Sequence, residues 1–388
     1  MKRLEDVAIV GVGCTGFRPL TPEFSYKEIM FEAATRAYAD ANVNPRKDID
    51  AFVTCGEDYW DGHSIFDEFV PDQLGAVLKP LFTVSADGLI GLAHAYMLIR
   101  TGQFDTVMVE AHSKASDILT FTDIVAFGLD PIFNRPLGGH PYYIAGLEMT
   151  RFLHETGATK EQCAHVVVKN RKNALVNACA AYGAELTVED VLQSEPMFYP
   201  LNRLDTSPLA DGCIVLVLAS NHVAKKLTDT PVWVRGVGWN SDTSWLESRE
   251  WGRAIYAELA AKMAYKMAGI KNPPKEIQFA EVDDLFSYKE LQHLEALKLC
   301  RRGEAGKLTE EGITQRDGQM PVNVSGGALG MGYAPEVLGL QRVLEVTLQL
   351  RGQAGRRQLC DVETGLAQSW RGIPTATGAV AVLSREVK

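Results

Sequence analysis

The chain has 388 residues, of which 46% are hydrophobic, and carries a formal net charge of −10. That length supports two or more core-forming units. The negative balance, with Lys and Arg scattered, argues against a nucleic-acid binder, which needs clustered cations to neutralise phosphate, and no apolar run approaches the roughly 18 residues of a membrane helix.

Val7–Gly13 is a short β-branched run ending in glycines, the pattern of a strand entering a tight turn. Alanine at helical spacing predicts a helix over Tyr26–Asn42. A Pro-containing loop from Asn44 to Asp50 then leads to a strand at Ala51–Thr54. Ser85-Ala-Asp-Gly88 opens a helix ending near Arg100, and Asp105–Glu110 reads as the next strand. The stretch from about His112 to Pro208 breaks the alternation. It holds Pro131, Pro136, Gly138, Gly139 and Pro141, and a long helix near Glu161–Tyr182. It reads as an insertion placed to cover a site.

The order then repeats. Val232-Trp-Val-Arg-Gly-Val-Gly238 matches Val7-Ala-Ile-Val-Gly-Val-Gly13. A helix over Trp251–Gly269, a loop at Asn272-Pro-Pro and a strand at Phe279–Val282 follow, as in the first half. Ser325-Gly-Gly327, a helix from about Glu336 to Gln349 and a final strand at Ala379–Leu383 complete it. Strand and helix alternating twice in one order mean α/β units, with halves at 1–230 and 231–388. Gly11-x-Gly13-x-x-Gly16 matches a dinucleotide fingerprint by letter. Phe17–Pro22 interrupts before any helix begins, so the glycines belong to the repeat and not to a nucleotide loop.

Seven cysteines (Cys14, Cys55, Cys163, Cys179, Cys213, Cys300 and Cys360) show no Cys-x-x-Cys and no zinc spacing. Free thiols in a reducing compartment are expected. Glu5 and Asp6 before the first apolar stretch are wrong for a signal peptide, so a cytoplasmic protein is expected.

The phrase Pro321-Val-Asn-Val-Ser-Gly-Gly-Ala-Leu-Gly-Met-Gly-Tyr-Ala-Pro335 resembles the late active-site loop of a thiolase, Asn-x-x-Gly-Gly-x-x-x-x-Gly-His-Pro, with Tyr333 in the histidine place. Asp205–Gly212, Glu281–Phe286, Asp317–Asn323 and Leu350-Arg-Gly352 are similar, in order, to sterol-carrier-type and archaeal thiolases. The resemblance covers nearly the whole chain. It implies the thiolase fold: two duplicated α/β halves with mixed sheets and layered helices, plus an inserted loop domain at about 112–208.

The family's chemistry uses a cysteine at a helix N-terminus, where the thiol pKa is lowered. Alignment through Gly88 puts Ser85 there, a far weaker nucleophile without a base. The family's His-Asp-Cys-Phe becomes Asp283-Asp-Leu-Phe286. Cysteine and both histidines are therefore absent, and with them the ordinary route of covalent acyl transfer. Ser85, Asp283 and Tyr333 retain acid–base capacity, with Asp283 the more natural base at neutral pH unless it is buried. Thiolase-like aldolases of steroid side-chain degradation look similar in having tyrosine in the histidine place. The combination suits cleavage of a β-hydroxyacyl-CoA, with the thioester enolate held by backbone N–H groups around Ser85 and Gly326-Gly327, beside Asn323 and Gly332.

Tyr288 could supply a second tyrosine if its loop points inward, and His140, on the covering insertion, could supply a proton group. The bland alternatives are a Ser85 that only caps its helix, a packed Tyr333, an Asp283 that serves a helix start and a surface His140. A catalytically silent thiolase-fold subunit is the alternative reading, and an atypical acyltransferase the third. The resemblance also implies at least a homodimer, a small zinc-ribbon/OB-fold partner and coenzyme A as part of the substrate, with no covalently bound cofactor or metal.

Overall fold

The computed structural model describes residues 5–56, 66–118 and 120–387. Among these, nine strands form one sheet: β1 (Val7–Cys14), β2 (Ala51–Cys55), β3 (Leu81–Val84), β4 (Thr106–Ser113), β5 (Gly212–Ser220), β6 (Val232–Ser241), β7 (Phe279–Glu281), β8 (Thr364–Trp370) and β9 (Thr377–Ser384). Their order is β3-β2-β4-β5-β1-β6-β9-β8-β7. β1 and β6 pair antiparallel at the middle through Ala8–Trp233 and Ile9–Val232. From that seam each half runs outward alike: β1-β5-β4-β2 on one side and β6-β9-β8-β7 on the other, two antiparallel pairings and then a parallel one.

The duplication extends to irregularities. Register slips between Ile9 and Gly11 in β1, and between Val234 and Gly236 in β6. These are equivalent positions of the repeated phrase, and bulges of this kind bend a strand locally. The glycines let a helix lie directly on the strand. A Cβ on Gly13 would stand 2.1 Å from the Ala33 carbonyl oxygen in helix Tyr26–Ala41, and one on Gly238 2.1 Å from that of Ala260 in helix Ile255–Ala268. That close packing accounts for the glycine phrase without any nucleotide.

Helices Gly88–Arg100 and Leu338–Arg351 pack on each other between the halves, the first against β4 and the second against β8. The insertion carries helices Tyr143–Thr156 and Lys160–Ala174. The second lies on helices Ser287–Ala296, Ala305–Glu310 and Gly327–Met331 of the C-terminal half, so a segment of the first half roofs the Gly-Gly loop.

Two sequence expectations differ. The helix expected to reach Tyr182 ends at Ala174. Beyond it the chain turns, and the Asn177 amide anchors the turn by donating to the Ser325 carbonyl at 2.8 Å. Strands β3, β5 and β8 have no counterpart in the sequence reading. β5, Gly-Cys-Ile-Val-Leu-Val-Leu-Ala-Ser, is buried along its whole length, and a continuous apolar run does not show strand periodicity.

Candidate functional site

The Gly-Gly loop is built around Asp284. One carboxylate oxygen accepts from the Ala328 N–H at 2.6 Å, and the other from the Leu329 N–H at 3.1 Å and the Asn170 side-chain amide at 2.8 Å. Gly327 has φ +58, and a Cβ there would stand 2.1 Å from an Asp284 oxygen, so only glycine admits this cap. Asn323, at φ 52, ties the loop to β7: its carbonyl oxygen Oδ1 accepts from the Val282 N–H at 2.8 Å and its amide donates to Glu290 at 2.7 Å. The Gly326 N–H donates to the Asn323 carbonyl at 3.0 Å and the Gly327 N–H to Ser325 Oγ at 3.1 Å. Both N–H groups expected to hold an enolate are thus engaged within the loop. Gly332, at φ +111, packs against Ala210 and the Tyr182 ring.

Tyr333 follows. Its N–H donates to the Pro208 carbonyl at 2.7 Å and its carbonyl accepts from the Ala210 N–H at 2.9 Å. The side chain is 7% exposed. The Phe121 ring meets it edge-on at 6.2 Å, and the hydroxyl faces Gly372, where a Cβ would lie 3.0 Å away. Burial pushes the phenol well above its ordinary pKa, and neighbouring Tyr142, Glu336, Asp283 and Asp87 push the same way. Tyr333 therefore holds its proton at neutral pH.

Asp283 is fully buried. One oxygen pairs with Arg342 at 2.9 Å and the other accepts from the Leu285 N–H at 3.0 Å. Its own N–H donates to Gln368 Oε1 at 2.8 Å. The carboxylate that the sequence offers as a base is half of an internal ion pair. Burial raises the neighbouring Asp284 carboxyl to about 7, against the pull of Arg342.

Ser85 is exposed at the bend between β3 and helix Gly88–Arg100. It does not cap that helix. Asp87 does, accepting from the Leu89 N–H at 2.9 Å and, with its second oxygen, from the Gly339 N–H at 3.0 Å. One carboxylate thereby joins the N-terminal ends of the two central helices. Burial raises it to about 6.

Tyr288 belongs to another cluster. Its hydroxyl donates to Glu148 at 2.8 Å, Glu148 pairs with Lys289 at 2.8 Å, and Tyr256 bonds His293 Nε2 at 2.8 Å. His293 Nδ1 reaches the Asp283 carbonyl at 3.0 Å. His140 is exposed, with Nδ1 accepting from the Tyr142 N–H at 3.1 Å, Nε2 3.2 Å from Thr122 Oγ1, and its ring stacked on Phe198 at 5.2 Å. Partial burial lowers its pKa. It lines a cleft of about 620 Å³ with Arg171, Phe198 and Thr206–Pro208. The cleft wall is bonded to the Gly-Gly loop through the backbone, since Pro208 accepts from the Tyr333 N–H at 2.7 Å and the Ser207 N–H donates to the Leu285 carbonyl at 2.9 Å, while Tyr333 itself does not line the cleft.

The structure thus gathers Tyr333, Asp283, Asn323, Gly326, Gly327 and Gly332 around one loop. Ser85 lies at the bend before the helix that Asp87 caps, His140 stands on the cleft wall, and the Tyr288 hydroxyl is committed to Glu148. Sequence reasoning missed Arg342, Asp87 and Arg171. Arg342 and Glu345 interrupt the apolar face of helix Leu338–Arg351 while fully or nearly buried, and that break in periodicity was the available signal. Among the described residues, no group of three or more His, Cys, Asp or Glu side chains is arranged to hold a metal, and no helix is long and apolar enough to cross a membrane.

Residues 240–385 match the thiolase C-terminal domain-like family model. The chain is 33% identical over 390 residues to an acetyl-CoA acetyltransferase of Methanothermobacter thermautotrophicus, covering 98% of this chain and 100% of that one. It is 29% identical to sterol carrier protein 2 of Bos taurus, over 93% of this chain and 69% of the relative. Among solved structures, the aldolase described as Ltp2-ChsH2(DUF35) superposes with a TM-score of 0.85 at 27% identity, over 99% of each chain. The repeated half-sheets, the roofed Gly-Gly loop and these likenesses agree: the chain belongs to the thiolase superfamily, with sterol-carrier-type and aldolase-like relatives.

Proposed function

We propose that this protein makes or breaks a carbon–carbon bond next to a CoA thioester, by aldol-type chemistry on a β-hydroxyacyl-CoA and without a cysteine nucleophile. The observation that carries the reading is Tyr333. Its phenol is buried at the end of the Gly-Gly loop and faces Gly372, and among the described residues no hydrogen bond engages its hydroxyl. In cleavage, the substrate hydroxyl gives its proton to Tyr333 in its minor tyrosinate form, the Cα–Cβ bond breaks, and its electron pair passes to the thioester enolate. The hydroxyl carbon leaves as a carbonyl, and the enolate takes back at Cα the proton that Tyr333 received. In condensation the same oxygen gains a proton. A phenol pushed well above its ordinary pKa lies closer to an alcohol, so sharing that proton costs less. Asp283, paired with Arg342, is given no base role in this reading.

The name of the aldolase neighbour and those of the acetyltransferase relatives support acyl-CoA chemistry of this class. We extend the proposal to a homodimer and to a small zinc-ribbon/OB-fold partner that helps bind CoA; the aldolase neighbour carries a second component in its name. The engaged N–H groups of Gly326 and Gly327 favour the second reading, a silent subunit beside an active partner. Incubation with β-hydroxyacyl-CoA esters of graded size, alone and with such a partner, separates the two. Release of a carbonyl compound and a shortened thioester is expected. No turnover in either setting leaves the silent subunit.

A further inference from the structure

Arg171 stands near the end of helix Lys160–Ala174 on the wall of the 620 Å³ cleft. It is 7% exposed, and among the described residues no carboxylate pairs with it, the buried Asp284 acting on its charge only from beyond ion-pair distance. One Nη donates to the Tyr182 carbonyl at 2.9 Å, the guanidinium lies 5.6 Å from the Tyr182 ring centre, and the buried Nε has no hydrogen-bond partner. A buried arginine in that state is costly unless an anion completes it. The other charges of the cleft do not serve. Arg203 is paired with Glu195 at 3.0 Å on the exposed rim, and His140 has its pKa lowered by desolvation. Tyr182 couples Arg171 to the proposed site, since its N–H donates to the Gly330 carbonyl at 2.9 Å, its hydroxyl donates to the Leu209 carbonyl at 2.7 Å and its ring packs against Gly332.

We propose that Arg171 is the anion-binding residue of this cleft and takes an oxyanion of the substrate, a phosphate of the CoA moiety or a carboxylate on the acyl chain. Guanidinium matches both groups, which present paired oxygens to its planar fork. The assignment of the ligand to an acyl-CoA rests on the proposed function above; the anion site itself does not.

The test uses the full chain and calorimetric titration with CoA, pantetheine, acyl-CoA esters with and without a terminal carboxylate, inorganic pyrophosphate and succinate. The variants are Arg171→Gln and Arg171→Lys, each checked for native circular dichroism, the lysine variant guarding against a loss of fold when the Tyr182 contact is removed. A charge-assisted hydrogen bond lost on Arg171→Gln is expected to weaken binding about ten- to hundredfold, with part of it restored by lysine. Weakening toward CoA and not pantetheine identifies the phosphate as the group held, and weakening confined to the terminal carboxylate esters identifies the carboxylate. Arg171-dependent binding of pyrophosphate or succinate without any binding of CoA keeps the anion site and overturns the acyl-CoA reading. Unchanged affinities in a folded variant, or equal weakening toward pantetheine and CoA, overturn the assignment of Arg171.

Discussion

A phenol buried beside Glu336, Asp283 and Asp87 keeps its proton across the physiological range. If cleavage needs Tyr333 to accept the substrate proton, its rate rises with pH through the neutral range without levelling below about 10, the ordinary phenol pKa. A pH–rate profile flat from 6 to 9 by about tenfold-resolved kinetics contradicts that role. Asp283 carries a different expectation. Asp283→Asn leaves Arg342 buried without its close partner and is expected to cost about 3–5 kcal/mol, read from urea unfolding. A variant of wild-type stability that had lost only activity would make Asp283 a base after all. These two residues also mark how far sequence carries. The departure of Tyr333 from the family histidine was visible in the loop itself. The pairing of Asp283 was not, because Arg342 lies on another helix, brought to it only by the packing of the central layer.

At the scale of elements, Asp284 and Asp87 act as clamps between helix ends and loops. Their carboxyls are raised by burial to about 7 and about 6. The folded state thus holds protons that the unfolded chain releases near the ordinary aspartate range, and stability falls as pH rises from about 4 to about 7. The expected measurement is a urea midpoint lower at the upper end of that window than at the lower, with the slope reduced in Asp284→Asn. A midpoint that climbs with pH in both proteins contradicts it. Gly327→Ala, which drives a Cβ into Asp284 at positive φ, is expected to destabilise by about 1–3 kcal/mol. The repeat of strand, helix and Pro loop was legible because glycine, alanine and proline mark it locally. Ser85 misled for the same reason: serine is a good cap by type, but Asp87 sits nearer the first turn and reaches two helix ends.

For the whole molecule, the two outer edges of the sheet differ. The β7 edge is covered by its own chain, since the Ala280 N–H donates to the Pro321 carbonyl and the Ala280 carbonyl accepts from the Asn323 N–H. β3 forms the other end of the sheet, with Phe82 38% exposed. Edge strands left open invite pairing with a second copy, so the homodimer proposed above is expected to form through β3. Phe82→Lys is expected to shift sedimentation from dimer to monomer, and an unchanged dimer places the interface elsewhere. The repeated part of the fold needed only local patterns in the right order, while β5, buried along its whole length, left no such pattern. The site depended on contacts such as Asp283 with Arg342 and Asp284 with Asn170, whose partners come from separate segments.

The central claim is that Tyr333 replaces the thiolase histidine as the proton-bearing group of aldol-type chemistry. It is tested most directly by single-turnover cleavage of a β-hydroxyacyl-CoA by the wild type and by Tyr333→Phe, with matched circular dichroism. The expected result is a carbonyl product from the wild type and a rate lower by about 10²–10⁴-fold in the phenylalanine variant. Full activity in Tyr333→Phe contradicts it.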